Sequence, residues 1–594
     1  MAEHAEQVRR PELAEGVAWP ALTLEAVVYA ALIVGAAAIR MAGLGRWPLL
    51  RNEAEQALLA WRFLHGQATT GAAVPLLFDG AVLGFFAFGA GDAVARLLPA
   101  LLGASLPLVP LLLRRRLGTW GTLAACFALA FSPLLVFYSR TVAGVVPLLA
   151  GTGALLVAWE LVGEGRTSAG RAAAVAGLAV ALTSSPWAYS FLLSLALYGL
   201  FGWLAKRRGR ELNSWASASE RLHLLWGGGR SALMLALVVV LLSTGLLLNP
   251  AGMQGTANLL AAWLGHLLPG SGGRAWGQPA LLLAFYEAGT LVLGILGAVV
   301  SLRRRDAWGA FLALWAGLAL ALALLSGGRD GEPVVLALLP LALLAGRAVQ
   351  GLVSQRQPAR WLWVGGNAAL LVCLLVFWWL QAVAYLNPEV AFTSETYAQV
   401  VLLLVAATPL AMLAATAVLW LFVGRRETLW ALLLVGLGLA AGLLLRNAMS
   451  LAHETARDAR EPVLEAPTSM GVRDLKAFLE DWSVRRALDQ HALTLSVGID
   501  TAPILPWYLR DFEGLRLRRA PEADTEAGAV VRLRSDNTAQ LAPVGYARTE
   551  YRLQSSSDAP LGNLNQALGW WLLRVAGGPT QEQRVELWVR IVKE

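Results

Sequence analysis

Between residues 21 and 445 the chain carries about thirteen runs of roughly 20 mostly apolar residues, each long enough to cross the ~30 Å hydrocarbon core of a bilayer as a helix. They lie near 21–41, 93–113, 119–138, 144–163, 171–186, 188–205, 231–249, 280–301, 308–326, 333–352, 361–384, 399–422 and 428–445. With 57% hydrophobic and 15% charged residues over 594 positions, the composition agrees: this is a polytopic membrane protein. A net charge of +8 would suggest nucleic acid for a soluble chain, but here the basic residues stand in short clusters between apolar runs, where they report topology. Nucleic acid is thereby set aside as a partner. Cys126 and Cys373 fall inside apolar runs without a CxxC partner, so they support neither a disulfide framework nor a thiolate metal site and read as small core residues.

Alternating the runs from a cytoplasmic tail at 1–20 puts Arg114–Arg116, Arg166 and Arg171, Lys206–Arg210, Arg303–Arg305, Arg356 and Arg360, and Arg425 and Arg426 on one side. The positive-inside bias then predicts a cytoplasmic N-terminus, an uncleaved first anchor in the plasma membrane and an extracytoplasmic C-terminus. This requires 74–91 not to span; with Asp79 and several glycines among its apolar residues, it reads as an interfacial or re-entrant segment of a first outer loop, 42–92.

From about 450 charged residues become frequent. A helical period runs through 461–491, and period-2 alternation appears at Leu493, Leu495, Val497, Ile499 and again at Val585, Leu587, Val589, Ile591. The expectation is an all-α membrane domain, 21–449, followed by a soluble α/β or α+β domain, 450–594.

The first outer loop holds the most informative stretch, "WPLLRNEAEQALLAWRFLHG" (47–66). Arg51, Glu53, Glu55 and Arg62 fall on a short amphipathic helix whose Leu58, Leu59, Trp61 and Phe63 suit the membrane interface. Carboxylates and guanidiniums at headgroup depth suit chemistry on a lipid-linked phosphate: a carboxylate takes a proton from an acceptor hydroxyl, and arginines neutralise a phosphate leaving group. The alternative is a solvated face of an interfacial helix.

The order "NEAEQALLAWRFLHG", "FGAGDAVARLLPALLG", "RRRLGTWGTLAACFALAFSPLLVFYSR" resembles the N-terminal half of GT-C membrane glycosyltransferases, the protein O-mannosyltransferase and aminoarabinose-transferase superfamily. "LLLAFYEAGTLVLG" (281–294), "VLALLPLALLAGRAV" (335–349) and above all "ILPWYLRDFEGLR" (504–516) resemble its flippase-activity-associated branch, related to archaeal N-glycosylation genes. The resemblance implies transfer of a sugar from a polyprenyl-phosphate donor, on the outer face, with inversion, to a glycan, lipid or protein acceptor of the cell envelope. No Gly-rich phosphate loop or strand-borne DxD points to a nucleotide sugar.

The chain departs from that pattern in its acids. Where the family has Asp-Glu, it has Asn52-Glu53, and an amide cannot accept the proton as a carboxylate would. After Arg140 the second loop offers Ala143 and Gly144 instead of an acid, and the downstream His-Gly-Pro is replaced by "GAAVP". Glu53 is thus the remaining candidate base, with Glu287, at the start of a span, a weaker one. Arg51, Arg96 and Arg140 are candidate phosphate ligands. Asp79, Asp92 and the Trp507, Tyr508 and Arg510 of "PWYLRD" are further candidates for the cavity or its cap. No metal site is expected: His266 has no ligand partner at useful spacing, and a divalent cation is implied by nothing in the sequence. Two functions follow, a lipid-phosphate-dependent glycosyltransferase or a degenerate homologue that binds a lipid-linked glycan or partner proteins. A secondary transporter would require pseudo-symmetric halves that are not evident.

Overall fold

A computed structural model describes residues 23–67, 74–207, 213–267, 278–326, 331–354, 359–386, 395–464, 466–519, 527–534, 545–557, 564–574 and 579–591; the expected tail, 1–20, lies outside them. Among the described residues, eight helices are long and apolar enough to cross a membrane, or up to ten if each of two bent pairs forms one span. Three shorter apolar helices accompany them, Pro75–Phe88, Leu97–Leu112 and Ala288–Arg303. Several of the thirteen expected spans are therefore broken or short, and the breaks have local causes.

The first part of the membrane domain runs α1 (Leu24–Met41), α2 (Arg51–Leu64), α3 (Pro75–Phe88), α4 (Asp92–Ala95), α5 (Leu97–Ser105), α6 (Leu108–Leu112), α7 (Arg114–Phe131), α8 (Pro133–Ser139), α9 (Val145–Gly163) and α10 (Thr167–Ser184). Segment 74–91 is helical as α3, but at 14 residues it is about 21 Å long, short of the hydrocarbon thickness. It packs on α2 and buries Phe78, Asp79 and Phe85.

The expected 119–138 span bends by 50° between α7 and α8. Pro133 has no N–H for the Leu129 carbonyl, and a proline also disfavours helical backbone before it. Arg40, fully buried near the end of α1, supplies the missing donors: its Nη2 reaches Leu129 O at 3.0 Å and its Nη1 reaches Ala130 O at 2.8 Å. On the other side of the break, Glu287 accepts from the Ser132 hydroxyl and, at 3.4 Å, from the Leu134 N–H. A cation thus meets the carbonyl end of one helix and a carboxylate the amide end of the next, which is the sense the helix dipoles favour. Glu287 itself lies in a second break, between helices Gln278–Tyr286 and Ala288–Arg303, so the expected 280–301 span is also interrupted.

The C-terminal domain contains helix Gly471–Ala487 and strands β1 (Leu495–Gly498), β2 (Leu515–Arg518), β3 (Ala529–Leu533), β4 (Tyr546–Ser556) and β5 (Gln581–Arg590). They form one mixed sheet in the order β2-β1-β3-β5-β4, parallel at β2-β1-β3 and antiparallel from β3 onward. Leu495, Val497, Val585, Leu587 and Val589 are buried as their alternation predicts. Ile499 and Ile591 are not: each falls past its strand's end and is half exposed. Ser496 is buried too, because β1 is covered on both faces, as a central strand flanked by parallel neighbours tends to be. Cys126 is buried as expected, whereas Cys373 is exposed on the Trp361–Leu386 helix and is not a core residue.

One apolar core joins the two parts. Leu49, Ala54, Leu58, Phe78 and Phe85 pack in the same cluster as Leu475, Leu495, Trp507, Val531 and Leu587. The final helix, Leu564–Leu573, returns to the membrane domain. There Glu461 accepts from Tyr286 Oη at 2.6 Å, Trp570 Nε1 at 3.0 Å and Arg574 Nη1 at 3.1 Å, while Arg446 holds the carbonyls of Trp571 and Leu572.

The packing of α9 on α10 leaves no room for an acid at Gly144. A Cβ at Gly144 would lie 1.9 Å from the Ser184 carbonyl oxygen, so no side chain fits at this contact. Gly144→Asp therefore forces the helices apart, at a cost of about 1–3 kcal/mol or more from overpacking. In a thermal unfolding assay of detergent-solubilised protein the variant should melt several degrees lower; an unchanged melting point would contradict this contact.

Candidate functional site

The 44–50 segment, between α1 and α2, is where the sequence-predicted groups converge, and a buried ion pair fixes its shape. Glu53 and Arg96 are 2% and 3% exposed. Arg96 Nε donates to Glu53 Oε1 at 2.8 Å and Nη2 to Oε2 at 2.5 Å, the two-pronged geometry in which guanidinium and carboxylate match. Glu53 Oε1 also accepts from Val142 N at 2.9 Å and Oε2 from Leu50 N at 2.7 Å. Arg96 spends its remaining donors on the carbonyls of Leu44, Trp47 and Pro48. Four hydrogen bonds saturate a carboxylate. Glu53 thus lies on the buried face of α2, turned inward, while Arg51 and Asn52 in the same turn are exposed.

Arg140, at the end of α8, closes the C-terminus of α1. Its Nη1 donates to the carbonyls of Ile39, Arg40 and Ala42 and its Nη2 to that of Gly43, at 2.8–3.2 Å. This is a cation at a helix C-terminus, where the last carbonyls lack the amides of a following turn; only that of Gly43 also accepts a backbone N–H, from Arg46 at 3.0 Å.

Arg457, which sequence reasoning passed over, faces both. Nη1 donates to Thr468 O at 3.0 Å and Nη2 to Pro48 O, and the guanidinium lies 5.8 Å from the centre of the Trp47 ring. Burial, and then the neighbouring Arg96, works against its charge and holds its proton affinity below the usual arginine range. Its only sequence signal is its place, in "ETARDARE" directly after the last apolar run.

Arg96, Arg140 and Arg457 line one cavity of about 30 Å³, with Leu44, Trp47, Phe137, Leu451 and Leu464 as its apolar walls. No carboxylate is among the residues lining it. Among the described residues neither Arg140 nor Arg457 has a carboxylate at ion-pair distance. The indole Nε1–H of Trp47 is buried without a hydrogen-bond partner. Guanidiniums and an unmatched N–H around a small space without a carboxylate are the donor set that suits an anion.

The other candidates lie elsewhere. Asp92 accepts from Arg473 Nη2 at 2.6 Å, Trp507 Nε1 at 2.8 Å and Tyr508 Oη at 2.9 Å, and Tyr508 Oη accepts from Leu49 N at 2.7 Å. Burial, and then Asp92, pushes the Tyr508 phenol up, so it donates rather than ionises. Arg510 stacks 3.8 Å from the Trp507 ring centre and donates to Ala90 O at 3.0 Å. "PWYLRD" is thus a latch between the domains and does not line the cavity. Asp79 is buried in α3 beside Gly245 with Oδ2 unpartnered, and Glu287 serves the α7–α8 break and also accepts from Thr290 Oγ1 at 3.2 Å. Glu287 therefore pairs with neither an arginine nor Tyr286. His266 stacks on Trp187 at 5.4 Å between ring centres. Among the described residues no three His, Cys, Asp or Glu side chains group as a metal site.

No protein-family model matches the chain, and no curated protein does. Solved structures do. ArnT from Cupriavidus metallidurans in the apo state superposes with a TM-score of 0.53 at 18% identity, covering 86% of this chain and 94% of that one. The same protein bound to undecaprenyl phosphate gives 0.54 at 16% identity, covering 95% and 97%. An oligosaccharyltransferase from Archaeoglobus fulgidus, at 0.43 and 11% identity over 83% and 64% of the chains, is too distant to argue from. The chain has the fold of ArnT, over nearly its whole length.

Removing one partner of a buried ion pair leaves the other uncompensated, at about 3–5 kcal/mol. Glu53→Leu alone should therefore destabilise the protein sharply, and Glu53→Leu with Arg96→Met should recover much of the loss in a melting assay. A double variant no more stable than the single one would contradict a pair whose main cost is the orphaned charge.

Proposed function

We propose that the protein is a membrane glycosyltransferase that takes a sugar from a polyprenyl-phosphate donor at the extracytoplasmic face, its N-terminus cytoplasmic, with the donor phosphate held by Arg457 and Arg140. The carboxylate-free cavity carries this reading: two guanidiniums without an acid and the unpartnered Trp47 N–H face an apolar wall. Phosphate oxygens accept from guanidinium in its fork geometry, and the apolar side suits a prenyl chain. The crystal structure of ArnT bound to undecaprenyl phosphate, a protein of the same fold, supports a lipid of this class. At about 30 Å³ the cavity has room for roughly two water molecules, so the phosphate enters as the Arg457 and Trp47 side chains move aside. Arg457 is the freer of the two cations, because Arg140 already holds the end of α1.

In transfer, an acceptor oxygen attacks the anomeric carbon from the face opposite the phosphate. The bond from that carbon to the phosphate oxygen breaks, its electron pair passes to the phosphate, and Arg457 and Arg140 stabilise the charge that develops there. The acceptor's proton leaves to water or to the released phosphate. Glu53, saturated by four donors, acts as a positioning group that sets Arg96 and the 44–50 segment. Arg51 and Asn52, both exposed, stand at the mouth of the loop.

A second reading has one observation in its favour: with Asn52 an amide and Glu53 occupied, no carboxylate lines the cavity. On that reading the chain binds a lipid-linked glycan without transferring it.

One experiment separates them. Protein in nanodiscs should bind undecaprenyl phosphate, and Arg457→Ala should weaken binding about tenfold or more, the loss of one or two charge-assisted hydrogen bonds. Arg51→Ala should leave it within about twofold. Release of undecaprenyl phosphate from an undecaprenyl-phosphate sugar indicates the transferase; binding without release indicates the non-catalytic homologue. Binding untouched by Arg457→Ala contradicts both.

A further inference from the structure

Arg457 is a wall between two cavities. On its far side lies a cleft of about 300 Å³, ten times the volume of the first, between the 457–470 segment and the ends of β4 and β5. That size reaches the lower range of small-molecule sites.

The cleft is polar and nearly self-neutralised. Asp458, Thr468, Ser469, Gln554, Ser555 and Thr580 contribute to its lining, and its Glu582 carboxylate is already met by Arg552 at 3.2 Å and by Arg584 at 2.8 Å. A strongly anionic ligand finds no unpaired cation here except Arg457 itself. Thr468 is 1% exposed and its hydroxyl has no hydrogen-bond partner in the protein. A buried hydroxyl left in that state costs free energy that a ligand's polar group would recover. The cleft also offers little to an extended peptide. The free edge of β4 is already occupied, since Thr468 bridges Gln554, Ser469 N donates to Leu553 O at 2.8 Å and Ser555 N donates to Pro467 O at 3.3 Å. Strand addition has no unpaired backbone to use at this point.

We infer that this cleft is the acceptor site and that it takes an uncharged, hydroxyl-rich saccharide. Mixed hydroxyl, amide and carboxylate side chains provide the alternating donors and acceptors that sugar hydroxyls need. Asp458 is the second carboxylate of the cleft; its Oδ1 accepts the backbone N–H of Arg460 at 3.0 Å and lies 4.0 Å from Arg460 Nε, and it adjoins Arg457 in the chain. The cleft and the donor cavity share Arg457 as a lining residue, which puts an acceptor bound here next to the donor site. The acceptor role rests on the donor reading above; the ligand class of the cleft does not.

The test uses full-length protein in nanodiscs and two ligands. A panel of neutral oligosaccharides (gluco-, manno- and galacto-oligomers) is screened by saturation-transfer NMR, beside acidic oligosaccharides and a set of extended peptides. Undecaprenyl phosphate binding is measured in parallel. At least one neutral oligosaccharide should bind, and Ser555→Trp and Thr580→Trp, both at the accessible rim, should each weaken it about tenfold by filling the cleft while leaving undecaprenyl phosphate binding and melting temperature unchanged. Absence of any neutral oligosaccharide signal, preference for peptides or acidic sugars, or binding indifferent to both tryptophans would overturn the inference. Oligosaccharide binding without undecaprenyl phosphate binding would retain the ligand class and remove the acceptor role, a failure of the donor reading alone.

Discussion

The Glu53–Arg96 pair is the contact on which the rest of the site depends. It closes the 44–50 segment by holding three of its carbonyls and the Leu50 amide, and it ties that segment to the start of α5 and, through Val142, to the chain entering α9. Two charges buried together are weak evidence of stability in themselves, because their desolvation offsets much of their attraction. What the pair supplies is geometry: every donor and acceptor on both groups is used, so the segment has one arrangement available to it. That arrangement places Trp47 beside Arg457 and sets the Pro48 carbonyl where Arg457 can reach it.

The other buried charges in the membrane domain follow the same logic. Arg40, Arg140 and Glu287 each meet the end of a helix, two at carbonyl ends and one at an amide end. In hydrocarbon an unsatisfied backbone group costs several kcal/mol, so a broken helix needs such partners. Arg457 differs because two backbone carbonyls use only part of its five donors. This difference is the ground on which an anion-binding role is proposed for Arg457.

Much of the architecture was legible in the sequence. Apolar length marked the helices, the charge shift near 450 marked the sheet domain, and Asp79 with its glycines marked α3 as too short to span. The 119–138 run read as one unbroken span; its bend at Pro133, and the distant residues that repair it, appear only in the structure. The contacts that the sequence did not show were those made by long-range pairing. Arg96 lies 43 positions from Glu53, Arg457 lies 409 from Pro48, and Trp507 lies 415 from Asp92. Helical periodicity grouped Glu53 with Arg51, Glu55 and Arg62 and offered a candidate base or a solvated face, because nothing local reports that a guanidinium arrives from another helix. For the same reason "PWYLRD" read as a candidate for the cavity or its cap, and the Asp92 contact shows it as a latch. That Gly144 has no room for a side chain is likewise a packing fact, since it touches the Ser184 carbonyl.

The central claim is that Glu53 holds the site together while Arg457 and Arg140 meet the ligand. A high-resolution structure of the protein with undecaprenyl phosphate tests it most directly. The account predicts phosphate density against Arg457 and Arg140, with the Glu53–Arg96 pair intact behind it. A phosphate seated on Arg96 with Glu53 released toward the cavity would contradict it and return Glu53 to the role of base.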